Sequence, residues 1–136
     1  MDDSQAVDVI KRGYAAFKSG NLQGFLDLCA PDIEWGDLAI KGLPHHIGPV
    51  RGRDAVAQAM QKLADNEDIL QFEQHAFVGQ GDRVFVEGTW HARAKPTGRT
   101  FQINYVHAFT VRAGKVQKYE GYWDTAAHAE AFRASN

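Results

Sequence analysis

The sequence has a single cysteine, Cys29. An internal disulfide is therefore excluded, and a reducing, cytoplasmic setting is the simplest expectation. Long hydrophobic runs are missing, and none approaches the ~20 residues that a membrane-spanning helix needs. Met1 is followed directly by Asp2 and Asp3 rather than by a basic segment and an apolar run, so no signal peptide is expected. Neither sign of charge dominates, with 15 Lys and Arg against 17 Asp and Glu and a net charge of -2. That balance gives no reason to expect nucleic acid or an anionic membrane as a partner. There is no G-x-G-x-x-G and no phosphate-binding glycine loop, so no nucleotide cofactor is indicated. A metal is not expected either. His75, His91 and His107 recur every sixteen residues, but strand alternation sends His91 to the face opposite His107. His45 and His46 are adjacent in a loop, and H-E-x-x-H and paired cysteines are lacking.

What is present is an ordinary globular composition, 44% hydrophobic and 24% charged, in a length that suits one domain over residues 1–136. Val7, Ile10, Tyr14 and Phe17 recur at helical spacing and predict a helix over residues 4–19, with Ser4 able to cap it and Gly20-Asn21 ending it. Leu22, Phe25, Leu26 and Cys29 predict a short second helix over 22–29, stopped by Pro31. Residues 33–37 alternate as a strand, and period two puts Asp37 on the same side as Ile33 and Trp35. Residues 41–52, rich in Gly and Pro, read as a long loop and a candidate lid. Val56, Met60 and Leu63 mark a third helix over 53–64. From residue 69 the chain reads as a meander, with strands at 69–79, 83–94, 100–112 and 115–124. A short helix follows from Thr125, with Asp124 as its N-cap. Helices first and strands last is the α+β pattern, a curved antiparallel sheet with helices on its concave face.

The chain is organised around residues 101–124, FQINYVHAFTVRAGKVQKYEGYWD, two strands joined by a tight turn at Ala113-Gly114. One face carries Tyr105, His107, Phe109, Tyr119 and Trp123, a mixture that suits the wall of an apolar pocket. The turn at 96–98 allows two registers. A four-residue loop sets Gly88 opposite His107, Trp90 opposite Tyr105 and Val86 opposite Phe109; a three-residue loop sets Glu87 opposite His107. The first is preferred, because a one-residue slip buries Glu87, His91 and Arg93. It leaves a gap at Gly88 across from His107, and Gly121 leaves another between Tyr119 and Trp123. Missing side chains amid aromatics leave space for a ligand or let a backbone approach closely.

YAAFKSGNLQGFLDLCAPDIEW, GPVRGRDAV, TGRTF and YVHAFTVRAGKVQKYEGYWDT, in this order and spacing, give a chain that resembles the NTF2-like superfamily. This is the cone-shaped fold of ketosteroid isomerase, scytalone dehydratase, limonene epoxide hydrolase and the SnoaL-like polyketide cyclases, and the chain looks closest to the SnoaL-like branch. The resemblance implies a pocket between sheet and helices, no cofactor, and a homodimer through the outer sheet face. It does not imply one reaction, since the fold hosts isomerases, dehydratases, hydrolases, cyclases and binders. Counted from Gly20-Asn21, Asp37 falls where ketosteroid isomerases keep their general base. Their oxyanion-hole tyrosine falls on Gly13, with Tyr14 one residue off, and their protonated aspartic acid falls on or beside His107. That enzyme's donor set is therefore not reproduced. SnoaL-like cyclases similarly place a carboxylate and a histidine in the pocket.

Asp37 is thus the expected base for removing a proton beside a carbonyl, because an apolar site strengthens a carboxylate for that task. His107 is the expected acid or hydrogen-bond donor to an enolate oxygen, with Tyr105 beside it as a second donor. Tyr14, Phe17, Trp35, Gly88, Trp90, Tyr119, Gly121 and Trp123 are the expected pocket residues, the tryptophans and Tyr119 being suited to stack on a ring-bearing ligand. The expectation is a cofactor-independent isomerase- or cyclase-like enzyme acting on a small apolar carbonyl compound. The alternatives are a non-catalytic binding or dimerisation module, and a hydrolase or dehydratase in which Asp37 activates water.

Overall fold

The computed structural model describes residues 3–37 and 49–133. His45, His46 and most of the expected lid lie outside the described residues. Helix α1 (Asp3–Lys18) buries Ala6, Val9, Ile10, Gly13 and Tyr14 along one face. It begins at Asp3, so Ser4 lies inside its first turn rather than at its cap. Gly20 adopts φ 77°, which ends the helix and lets Asn21 cap α2 (Leu22–Asp27), its side chain accepting from the Gly24 N–H at 2.9 Å.

Helix α2 is shorter than the periodicity suggests, and Cys29 opens strand β1 (Cys29–Asp37) instead of ending the helix. Pro31 accounts for this, since the residues ahead of a proline are pushed towards extended geometry. Cys29 is fully buried, and burial lifts its thiol to about 11 despite Arg53 and Lys115 nearby. The expected loop contains a two-residue strand, β2 (Val50–Arg51), paired with β1 through Trp35–Val50 and Glu34–Arg51. Helix α3 (Arg53–Asn66) follows, and its Arg53 donates twice to the Cys29 carbonyl, at 2.9 and 2.6 Å, fixing the helix start against β1.

The meander is β3 (Glu67–Gln80), β4 (Arg83–Ala94), β5 (Thr100–Arg112) and β6 (Lys115–Trp123), closed by α4 (Thr125–Phe132). Asp124 caps α4, accepting from Ala127 N–H at 3.0 Å. The β5–β6 hairpin turns on Ala113 (φ 52°) and Gly114 (φ 75°), the left-handed pair that a two-residue hairpin demands. The six-stranded sheet has the order β2-β1-β6-β5-β4-β3. It is mixed rather than wholly antiparallel, because β1 runs parallel to β6. A parallel neighbour needs a long crossover, here the whole stretch from β2 to β5. Register shifts in β3 at Ile69/Gln71 and Gln74/Ala76 bend the sheet over the helices.

The observed β4–β5 register corrects the expected one. Val86 lies opposite His107, Gly88 opposite Tyr105 and Trp90 opposite Ile103. The offset is two residues, so every side chain keeps its expected face while its partner changes. The main core gathers Ile10, Ile33, Val56, Val84, Val86 and Val111 between helices and sheet. A smaller cluster of Ala92, Ala94, Phe101, Ile103 and Ala131 sits under α4. Val78, Phe85, Val106 and Tyr122 stand exposed on the outer face. Among the described residues no helix is long and apolar enough to cross a membrane.

Candidate functional site

A cavity of about 140 Å³ lies between the concave sheet face and the helices. Tyr14, Phe17, Trp35, Asp37, Trp90, Tyr105, His107, Tyr119 and Trp123 all line it. Phe25, Phe72 and Phe109 complete an aromatic enclosure. The two glycines do not line it, which corrects their expected part as open space. A Cβ built at Gly88 meets the Tyr105 hydroxyl oxygen at 2.2 Å and the Glu73 carbonyl oxygen at 2.1 Å. One built at Gly121 meets the Tyr119 hydroxyl at 2.4 Å and Asp37 Oδ1 at 2.6 Å. Each glycine therefore seats the polar tip of a neighbouring tyrosine.

Asp37 is the last residue of β1, half-buried, opposite Gly121 on β6. Its Oδ1 accepts from the Tyr119 hydroxyl at 2.8 Å. Burial, then the Asp37 charge, raise the Tyr119 pKa well above the ordinary phenol value, so Tyr119 keeps its proton and remains a donor to the carboxylate. Tyr119 is held in turn by Trp35, stacked at 4.0 Å between ring centroids. Gly121 also lies opposite His107 on β5. Asp37 and His107 thus flank one glycine from two neighbouring strands, and the carboxylate reaches over that glycine. Adjacent strands are ~4.8 Å apart, so two strand spacings separate the Asp37 and His107 backbones, and the Tyr119 hydroxyl and the edge of the Trp123 ring lie over the glycine between them.

His107 is walled by rings. Tyr105 stacks on it at 4.0 Å and 24°, and Tyr119 meets it edge-on at 5.2 Å. What surface it retains faces the cavity rather than bulk water, so desolvation pulls its pKa down to about 3. It is neutral at physiological pH. The Tyr14 hydroxyl lies 2.5 Å from His107 Nδ1. Burial, then the neighbouring Tyr105, drive the Tyr14 pKa far above the ordinary phenol value, so Tyr14 keeps its proton and can serve as a hydrogen-bond donor to Nδ1. With Tyr14 as the donor, the proton of the neutral imidazole is on Nε2. Tyr105 is differently engaged. Its hydroxyl donates to the Glu73 carbonyl at 2.7 Å and accepts from Gln74 Nε2 at 3.2 Å, and burial pushes its pKa up to about 12. Its contribution at the site is the ring stacked on His107.

Sequence reasoning missed two polar cavity residues. Glu67, at the start of β3, and His128, on α4, line the far end, 4% and 5% exposed. Glu67 Oε1 accepts from Trp90 Nε1–H at 2.8 Å, and Oε2 lies 3.0 Å from His128 Nε2. Trp123 Nε1–H donates to His128 Nδ1 at 3.0 Å. The spacing of His128 with Phe132, one helical turn apart, was the available signal for His128. Glu67 had none, because the β3 register shifts break the alternation that assigns a face.

A half-wrapped sheet, helices on its concave face and one aromatic cavity between them define a class: the cone-shaped α+β domains of the NTF2-like superfamily. Within it, the chain belongs to the SnoaL-like domain family, whose model matches residues 10–119. An NTF2-like protein of Burkholderia xenovorans is similar at 38% identity over 98% of this chain and 99% of that one, with a TM-score of 0.88. TerC, crystallised with polyporic acid, is similar at 26% identity over 96% and 99% of the two chains, with a TM-score of 0.85. A proposed polyketide cyclase of Xanthomonas campestris shares the fold at 23% identity over 96% and 98%, with a TM-score of 0.76.

Proposed function

We propose that the chain is a cofactor-independent acid–base enzyme, isomerase- or cyclase-like, acting on a small apolar carbonyl compound. The observation that carries this reading is the pairing of Asp37 and His107 across Gly121, each set by a tyrosine proton inside one aromatic cavity. Asp37 removes a proton from carbon beside the carbonyl, and the carbonyl oxygen takes up the negative charge. The His107 Nε2–H donates a hydrogen bond to that oxygen. A neutral imidazole suits this step, because it lends a donor without protonating a base nearby. Asp37 then returns the proton to a different carbon, completing an isomerisation, or the enolate carbon attacks a second carbonyl in the same molecule, closing a ring, and the alkoxide so formed takes the proton back from Asp37. Tyr119 orients Asp37, Tyr14 fixes the His107 tautomer, and Tyr105 supports the imidazole from behind. Phe17, Trp35, Trp90 and Trp123 supply the apolar walls. The family membership and the crystallisation of TerC with polyporic acid support a pocket for an organic molecule. The stripe of Val78, Phe85, Val106 and Tyr122 supports a homodimer through the outer sheet face.

The test is proton exchange. The protein is incubated in heavy water with a panel of ketones and enones, and deuterium incorporation is followed by NMR beside Asp37→Asn. A general base contributes ~10²–10⁴-fold, so the variant's exchange falls by at least that lower figure. Exchange equal in both proteins removes Asp37 as the base. Binding without exchange in either moves the assignment to a non-catalytic pocket.

A further inference from the structure

One end of the cavity is closed by a chain of four side chains, of which Glu67 and His128 take no part in the chemistry above. Trp90 on β4 donates to Glu67, His128 on α4 bonds Glu67, and Trp123 on β6 donates to His128, at 2.8, 3.0 and 3.0 Å. An indole N–H can only donate, so His128 Nδ1 accepts and its proton sits on Nε2, where it donates to the carboxylate. All four residues line the cavity. Immediately beyond them lies the small second core, of which only Ile103 reaches the cavity while Ala92, Ala94, Phe101 and Ala131 do not. The four-residue chain is therefore the partition between ligand space and solid core. It is an expensive way to fill space, since a buried carboxylate and imidazole cost more free energy than well-packed apolar residues of the same volume. What it adds is direction. Each indole is pinned by its N–H in one orientation, whereas apolar contact alone tolerates rotation of the ring.

We propose that Glu67 and His128 determine the length of ligand that the cavity accepts, by locking Trp90 as its end wall and Trp123 as the wall that leads to it. They are positioning residues. Neither nitrogen of His128 is turned to a ligand, since one accepts from Trp123 and the other donates to Glu67. The proposal rests on the preceding reading for the class of probe: neutral aryl ketones whose carbonyl end is held between Asp37 and His107. The para substituent of such a ketone then runs beside the Trp123 ring, which extends from Gly121 next to Asp37 to His128, and points towards Trp90.

The experiment measures binding of acetophenone and a series of para-alkyl acetophenones of increasing chain length, by titration calorimetry, to the full chain and to two variants. His128→Ala opens the partition. Glu67→Gln keeps its volume but sets an amide N–H against one of the two N–H donors, so one indole is released. Near-UV circular dichroism of the tryptophans and far-UV spectra are recorded for each. In the wild type, affinity rises with chain length and then falls sharply once the chain meets the end wall. In both variants the near-UV signal weakens and the first ketone beyond the wild-type limit binds at least tenfold more tightly, while acetophenone itself changes less than threefold. Should His128→Ala fail to fold, Glu67→Gln, which removes no volume, carries the same test. A length limit unchanged in a folded variant overturns this inference and leaves the acid–base reading intact if deuterium exchange persists. A wild type that binds no member of the series overturns both, because a cavity that takes no ketone has no ketone length to set.

Discussion

Acid weakens this protein through one imidazole, and the size of the effect follows from the rings around it. The His107 pKa is held at about 3 by desolvation among Tyr14, Phe72, Tyr105, Phe109 and Tyr119. In the unfolded chain the same group titrates near ~6.5. Above that value His107 is neutral in both states and contributes no pH dependence. As the pH falls below it, the unfolded chain binds a proton that the folded chain refuses, and stability drops by ~1.4 kcal/mol per pH unit. The drop continues until the folded group itself protonates, near about 3. At about pH 5 the accumulated loss is ~2 kcal/mol, a visible share of the ~5–15 kcal/mol that holds a typical domain together. Other groups titrate over the same range, so the measurement is a difference. Urea unfolding is followed between about pH 7.5 and pH 5 for the wild type and for His107→Gln, which keeps a polar side chain but cannot take up the proton. The wild type loses ~2 kcal/mol more than the variant over that interval. Parallel stability curves refute the reasoning, since they mean that the imidazole is as easily protonated in the fold as out of it.

The remaining predictions concern the tyrosines, the glycines under them and the outer face. Tyr119→Phe removes a hydrogen bond to a carboxylate, so urea unfolding detects a loss of ~1.5–3 kcal/mol, and exchange with ketones slows because Asp37 is no longer oriented; unchanged exchange shows that Asp37 needs no such support. Tyr105→Phe keeps the ring stacked on His107 and loses only the bonds to Glu73 and Gln74, so stability falls by ~1 kcal/mol while exchange stays within about twofold. A large loss of exchange in that variant restores Tyr105 as a proton donor to substrate. Gly88→Ala drives a methyl group against the Glu73 carbonyl, which belongs to the backbone and cannot swing away, so thermal unfolding records a loss at the ~3 kcal/mol end of overpacking. Light scattering at micromolar concentration gives twice the chain mass, whereas a monomer removes the outer face as an interface.

The elements of this fold were legible because each is bounded by chemistry that acts locally. Strands β4 and β5 begin where the alternation of Val84, Val86 and Trp90 and that of Phe101, Ile103 and Tyr105 begin. Their pairing was legible only up to a two-residue slide. The four-residue loop spans Lys95 to Gly98, one residue earlier than expected, with Ala94 N–H donating to the Arg99 carbonyl at 2.8 Å. A slide by two keeps every side chain on its face, so the hydrophobic pattern cannot detect it. Only the turn's own hydrogen bonds decide. The parallel pairing of β1 with β6 was not legible for a related reason. Alternation says which side of a strand is buried, but nothing in it says which strand lies next door when the connection is long. Cys29 passed for the end of a helix because its spacing with Leu22, Phe25 and Leu26 is helical, while the restriction imposed by Pro31 acts on backbone geometry and leaves no mark on that spacing.

The site divides along the same line. A glycine opposite aromatic residues announces a missing side chain but not what fills the room. Here both rooms are filled by protein, the Tyr105 hydroxyl over Gly88 and the Tyr119 hydroxyl with Asp37 over Gly121. Which hydroxyl ends on a backbone carbonyl and which on a side-chain carboxylate is decided by the neighbouring strand. Beside Gly88 that strand is β3, which offers the Glu73 carbonyl; beside Gly121 it is β1, which offers a carboxylate. Asp37 could be placed from its parity because the pairs from Glu34 to Asp37 along β6 run without a shift, as do those carrying His107 to Gly121. Glu67 could not, because two register shifts in β3 separate it from Phe77 and reset the count of faces. Pattern reading reaches a residue when an unbroken ladder connects it to the core and stops at the first bulge. Polar residues beyond a bulge, such as Glu67 here, are therefore the ones that need coordinates before their burial, and any function that depends on it, comes into view.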